Sequence, residues 1–152
     1  MDSFEKLYNK ALRFLSFRPR SEKEIRDYLQ KKNSDPQTAQ KIIDKLKEYN
    51  FINDNEFARL WFESRIKLKP RAKRVIKMEL KQKGISEELI DEVFENTNSD
   101  DKELALILAE KRVKRYVKEE PQKAKEKMYR FLISKGFNYD TIKDVVDHVL
   151  GK

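Results

Sequence analysis

Residues 51–94 read FINDNEFARLWFESRIKLKPRAKRVIKMELKQKGISEELIDEVF. Three helical patterns with clear punctuation follow one another in that stretch. Asn53 or Asp54 supplies an N-cap, and Phe57, Leu60, Trp61, Ser64 and Leu68 then recur at spacings of three and four, the period of one helix face. Pro70 opens a second helix carrying Ala72, Val75, Ile76 and Leu80; Gly84, after Lys83, is placed to end it in the left-handed conformation. Ser86-Glu87-Glu88 opens a short third helix with Leu89, Ile90, Val93 and Phe94. From Arg65 to Lys83 the stretch holds nine Lys/Arg against one acid, Glu79. That net of +8 equals the charge of the whole chain, so everything outside the window is balanced. A field so concentrated points to an acidic partner.

The same pattern recurs on both sides. Before it, Phe4, Leu7, Tyr8, Ala11, Leu12, Phe14 and Leu15 form a broad apolar helix face, broken at Arg18-Pro19-Arg20. Ser21 with Glu24 reads as a capping box, with Ile25, Tyr28 and Leu29 facing inward as far as Asn33-Ser34. Asp35-Pro36 gives a cap and an N1 proline for a helix burying Ala39, Ile42, Ile43, Leu46 and Tyr49. After the polar link Asn96-Thr97-Asn98-Ser99, a helix from about Asp100 to Val117 carries Leu104, Leu106, Ile107, Leu108, Val113 and Tyr116. Pro121 opens the next, with Ala124, Met128, Phe131 and Leu132, and Gly136 ends it. Asn138 caps the last, with Ile142, Val145, Val146, Val149 and Leu150.

The three rounds superpose. Pro19-Arg20 precedes Pro70-Arg71, and Leu29 precedes Leu80, by about 51 residues; Lys83-Gly84-Ile85 precedes Lys135-Gly136-Phe137 by about 52. A period near 50 residues marks a tandem array. The expectation is an all-α fold, an elongated, curved array of three tandem three-helix repeats, about nine helices in all. The repeats would span 1–52, 53–98 (central and most basic) and 99–152. Such short helices cannot bury their apolar faces alone, so the modules must stack on neighbours. The competing reading is one compact bundle with a coincidental period.

Composition narrows the classes. Of 152 residues, 38% are hydrophobic and 41% charged, which favours helices with much exposed surface over a large spherical core. Three glycines and four prolines are too few for a turn-rich β fold. There is no cysteine, hence no disulfide framework or thiolate metal site. No apolar run approaches a membrane span, and MDSFEKLYNK is not a signal peptide. A soluble, cytoplasmic protein without cofactor or metal is expected. It should not be an enzyme: the single histidine, His148, lies next to Val149 on the last helix, and no Ser or Lys sits beside a recognisable base. Asp100, Asp101 and Glu103 suit a first helical turn better than a cation site.

The basic residues are the candidate site. Arg71, Arg74, Lys77 and Lys81 step by three and four along one face. Lys67, Lys69 and Arg71 flank Pro70, and Arg65 and Lys73 complete the central set. Arg112 and Arg115 are outer candidates. In line, these cations would neutralise phosphates and gain from counterion release; the alternative is a solubilising face. Spacing with Phe57 puts Trp61 in the core, whereas Phe62 falls off that stripe, where a ring could stack on bases.

Several motifs carry a resemblance. Phe51-Ile52-Asn53-Asp54, Phe57-Ala58-Arg59, Ser64-Arg65 and Glu79-Leu80-Lys81-Gln82-Lys83-Gly84-Ile85 resemble the RecX family of bacterial recombination regulators. Ala11-Leu12-Arg13-Phe14-Leu15 and the following Ser21, Glu24, Ile25 and Leu29 look like that family's first repeat. The resemblance implies three-helix repeats and a non-enzymatic modulator of the RecA recombinase. Such a protein would lie in the groove of the RecA–DNA filament, bridge its subunits, and hinder growth, strand exchange and ATPase. It also implies weak, salt-dependent binding of single- and double-stranded DNA; a monomer with no membrane partner is expected. Two other readings stay open: a stand-alone DNA-binding protein such as a transcription factor, and a repeat scaffold that binds only acidic proteins.

Overall fold

In a computed structural model the described residues, 3–96 and 100–151, form nine α-helices and one 3₁₀ turn, with no strand among them. The expected link Asn96–Ser99 and the boundary at 98/99 fall largely on 97–99, outside the described residues. The first three helices are α1 (Phe4–Phe17), α2 (Glu22–Lys31) and α3 (Pro36–Glu48); α4 (Asp54–Leu68), α5 (Lys73–Gln82) and α6 (Glu87–Glu95) follow. The last set is α7 (Asp101–Arg112), a 3₁₀ turn (Val113–Arg115), α8 (Pro121–Ser134) and α9 (Tyr139–Leu150). No helix among the described residues is long and apolar enough to cross a membrane.

Local chemistry sets most helix starts. The Ser3, Asp35, Asp100 and Asn138 side chains each accept from the backbone N–H three residues on. Ser21 and Glu24 form the reciprocal capping box. Asn53 caps α4 by accepting from Glu56 N at 3.1 Å.

Two compact units result, Met1–Trp61 with Leu80–Phe94, and Phe62–Glu79 with Glu95–Lys152. The middle three helices are shared between them. In the first unit Leu7, Ala11, Ile25, Leu29, Ile42, Ile43 and Leu46 make the core. In the second it is Leu104, Leu108, Met128, Leu132, Ile142, Val145 and Val146, with Ala72 from the middle domain.

Each unit contains one joint between successive three-helix domains. In the first unit Ser21 is fully buried, and its Oγ donates to Lys83 O at 2.6 Å while accepting from Glu24 N. In the second, Ala72, equally buried, donates its N–H to Lys135 O at 3.0 Å. Both acceptors precede a glycine with positive φ, +82° at Gly84 and +93° at Gly136. A Cβ at Gly84 would sit 2.5 Å from Lys23 Cβ, and one at Gly136 would sit 2.3 Å from Val75 Cγ2. Glycine is needed there for conformation and for close approach alike. The joints also share a cap: Glu22 N donates to Asp54 Oδ1 and Lys73 N to Asp101 Oδ1, both at 2.9 Å, so the next domain's first helix caps the previous domain's second.

Several expectations need correction. Pro70 does not open α5, which begins at Lys73 because Ala72 is bonded to Lys135 and Asp101 caps the first turn. The face predicted for α4 is not its buried face. Phe57, Ala58 and Phe62 are buried, Trp61 is half-buried, and Leu60 and Leu68 are exposed, Leu68 at 78%. The helix contributes its first half to one unit and its second half to the other, so no single stripe runs along it. Phe62, only 2% exposed, is core and not a platform for bases. Tyr49 is exposed because α3 stops at Glu48 and the C-cap leaves the stripe. The seventh helix tightens into a 3₁₀ turn at Val113 instead of running to Val117. In α7, Ala105 and Ala109 share the buried face with Leu104 and Leu108, while Ile107 points out.

Burial would raise the Glu24 pKa, but the Arg18 guanidinium, the Ser21 N–H and Lys83 outweigh it and hold it below the ordinary value. A depressed carboxylate stabilises the fold fully above its unfolded-state pKa and loses that effect as pH falls through the folded one. Glu24→Gln should therefore flatten the acid limb of a stability-versus-pH curve; an unchanged limb by urea titration would show that the network carries nothing. Gly136→Ala should destabilise by about 2–4 kcal/mol, from left-handed strain and overpacking together. In a double-mutant cycle with Val75→Ala the two changes should couple favourably, and simple additivity would mean that the two groups do not meet.

Candidate nucleic-acid interface

The basic window is the end of α4, a four-residue link and most of α5. Arg65 and Lys67 occupy the last turn of α4, where cations complement the helix dipole. Pro70 keeps Lys69 out of a continuing helix and is itself buried. Its ring thus ties down the link while Lys67 and Lys69 stay exposed on either side of Leu68.

Glu79, the one acid of the window, is placed at the centre of it. Arg65 Nε donates to Glu79 Oε1 at 2.9 Å and Arg71 Nη1 donates to Oε2 at 2.7 Å. The three side chains are only 22%, 22% and 18% exposed. Charge-assisted bonds of this kind outweigh exposed pairs because water competes less. The arrangement ties α4, the link and α5 together. Arg71 therefore lies off the α5 face on which Arg74, Lys77 and Lys81 sit.

The other predicted residues divide by partner. Arg74 donates from Nε to Gly136 O at 2.8 Å, so this guanidinium fastens the joint to the third domain. Lys73 is half-buried at the start of α5, and Lys77 lies one turn beyond Arg74. Lys81 falls in the first compact unit and pairs with Glu87 at 3.2 Å, both side chains well exposed. Arg112 lies 4.2 Å from the Phe131 ring centroid and donates to Tyr116 Oη at 3.2 Å. Lys135 covers the same ring at 5.7 Å. Arg115 is exposed in the 3₁₀ turn. The structure thus gathers Arg65 and Arg71 around one carboxylate, gives Arg74 and Arg112 packing roles, and leaves Lys67, Lys69 and Arg115 as cations on the surface.

Two residues that position the site were legible only as charges. Glu79 could be seen as the lone acid, but its partners lie 14 and 8 residues away, not at the three- or four-residue spacing at which side chains on one helix pair. Asp101 suited its own helix, whereas its carboxylate caps α5. Among the described residues no three His, Asp or Glu side chains gather as metal ligands. What the surface can offer is a cationic edge for a polyanion.

Models of the RecX first, second and third three-helix domains match residues 8–46, 53–93 and 100–146 in turn. A regulatory protein RecX from Clostridium botulinum (strain Eklund 17B / Type B) is 38% identical over 152 residues, 98% of this chain and 71% of that protein. One from Listeria innocua serovar 6a is 41% identical over 143 residues, 93% of this chain but 53% of that protein. The crystal structure of RecX from Lactobacillus salivarius superposes with a TM-score of 0.78 at 29% identity, covering 96% of both chains. A second crystal structure of regulatory protein RecX gives 0.77 at 28%, covering 95% of this chain and 73% of that one.

Glu79→Gln removes the charge that holds two arginines. It should lower stability by about 1–3 kcal/mol and make the protein elute later from immobilised heparin. A variant as stable as the parent in thermal unfolding would show that the three side chains do not act together.

Proposed function

This chain belongs to the RecX family of regulatory proteins, and on that premise we propose that it modulates the RecA recombinase without chemistry of its own. The basic segment from Arg65 to Lys77 lies against the RecA–DNA filament and neutralises phosphate or acidic protein surface. Occupying the groove obstructs a second DNA strand and slows filament growth, strand exchange and ATP hydrolysis. Repetition of similar domains lets weak contacts add through effective concentration. The same cations bind single- and double-stranded DNA weakly, with a steep dependence on salt.

The observation that carries the reading is the match of all three domains in order, with the whole surplus charge falling in one segment of the middle domain. The exposed lysines are the natural contact residues, since Arg65, Arg71 and Arg74 also hold the fold together. A stand-alone DNA reader is the second possibility. It is supported by the three-helix form of each domain, which can present a recognition helix.

The test is RecA ATPase on single-stranded DNA with this protein titrated in. Wild type should slow hydrolysis in a dose-dependent way. Lys67→Ala with Lys69→Ala should fold normally, require several-fold more protein, and lower the salt slope of DNA binding by about 2. ATPase indifferent to the protein would overturn the proposal; strong preference for one duplex sequence would favour the stand-alone reader.

A further inference from the structure

An open groove of about 500 Å³ lies wholly within the first compact unit. Leu12 and Leu15 of α1, Pro19, Phe51, and Phe57 and Leu60 of α4 supply its apolar lining. Phe51 is 52% and Leu60 38% exposed, so part of that lining faces water directly.

One edge carries a fixed cation. The Arg20 guanidinium carbon sits 3.7 Å from the Phe14 ring centroid, and Nε donates to Phe14 O at 3.3 Å. No acceptor among the described residues meets its two η nitrogens. Neighbouring Arg18 is different: it donates to Pro19 O and pairs with Glu24. Burial first, and then the charge of Arg18, lowers the Arg20 pKa, with Glu24 opposing. A cation partly stripped of water beside a like charge gains when an anion arrives. Glu56 also lines the groove, and its negative charge works against an anion anywhere but beside Arg20.

We propose that this groove docks an acidic peptide segment of a partner protein. A bulky apolar side chain fills the floor, and a neighbouring carboxylate takes the two η nitrogens of Arg20. Three leucines and a proline line the floor beside Phe51 and Phe57, and Phe57 already stacks on Trp61 with centroids 5.8 Å apart, so the floor suits a bulky apolar side chain. Anchor side chain plus guanidinium-bound carboxylate is the division of labour expected of a compact recognition site. This goes beyond the reading above and needs neither recombinase nor DNA to be tested.

The probe is a fluorescein-labelled heptapeptide, Gly-Asp-Glu-Leu-Phe-Glu-Asp, titrated by fluorescence anisotropy with the full chain. Its amide counterpart, with Asn and Gln for the acids, and a labelled oligothymidylate run in parallel. The acidic peptide should bind saturably and the amide peptide at least tenfold more weakly. Leu60→Asp should abolish binding, Phe51→Ala should weaken it about tenfold, and Arg20→Lys should weaken it several-fold because an ammonium lacks the planar fork. Circular dichroism checks that each variant folds; if Leu60→Asp does not, Phe51→Ala decides. Absence of peptide binding, or binding unchanged by these substitutions, overturns the proposal. So does an oligothymidylate that needs Leu60 and Phe51 while the peptide does not bind.

Discussion

A helix-end carbonyl is claimed by the neighbouring domain at each joint of the array. Lys83 O takes the Ser21 hydroxyl and Lys135 O takes the Ala72 N–H. Everything around those two bonds serves the approach. The donor residue is small and fully buried, the residue after the acceptor has no Cβ, and an aspartate from the next domain's first helix caps the helix that follows the donor. Three short helices cannot enclose a core large enough to stand alone. Sharing a carbonyl and a cap fastens one part of the second domain to each neighbour, and the compact units cut across the middle domain.

The two joints differ in chemistry while keeping the same frame. In the first, Ser21, Lys23, Glu24, Arg18 and Lys83 make a polar, charged seam, with Lys83 also 5.4 Å from the Trp61 ring centroid. In the second, Ala72 and Val75 pack against Gly136, and one guanidinium, that of Arg74, supplies the polar bond. A polar seam responds to pH and salt, and an apolar one far less. The first joint is therefore the more sensitive to conditions, through the same carboxylate that closes the α2 capping box.

Charge is used in the same economical way. One glutamate orders two arginines, and another arginine is committed to a backbone carbonyl, so a window with nine cations offers fewer of them to a partner than its composition suggests. The exposed lysines, Lys67 at the end of α4 and Lys69 at the start of the link, flank a segment held by buried Pro70 and by the Arg65–Glu79–Arg71 pairing. Rigid support of a flexible ammonium suits diffuse attraction to a polyanion more than reading of particular bases.

Capping boxes, N1 prolines and the glycines at 84 and 136 announce themselves by spacing, so helix order and the threefold repeat could be read from residues alone. So could the inward faces of α2, α3 and α9, each packed in a single core. The face of α4 could not, because periodicity presumes one burying environment per helix and α4 has two; Phe62 was misplaced for that reason. Nor could the start of α5 be read, since Pro70 is a fitting N1 residue and only the distant Lys135 carbonyl and Asp101 carboxylate draw the helix start to Lys73. Residue order determines what is local: caps, breakers, period and where the positive charge is concentrated. Which cations hold the fold and which face outward depends on partners many positions away, and those meet only once the domains have packed.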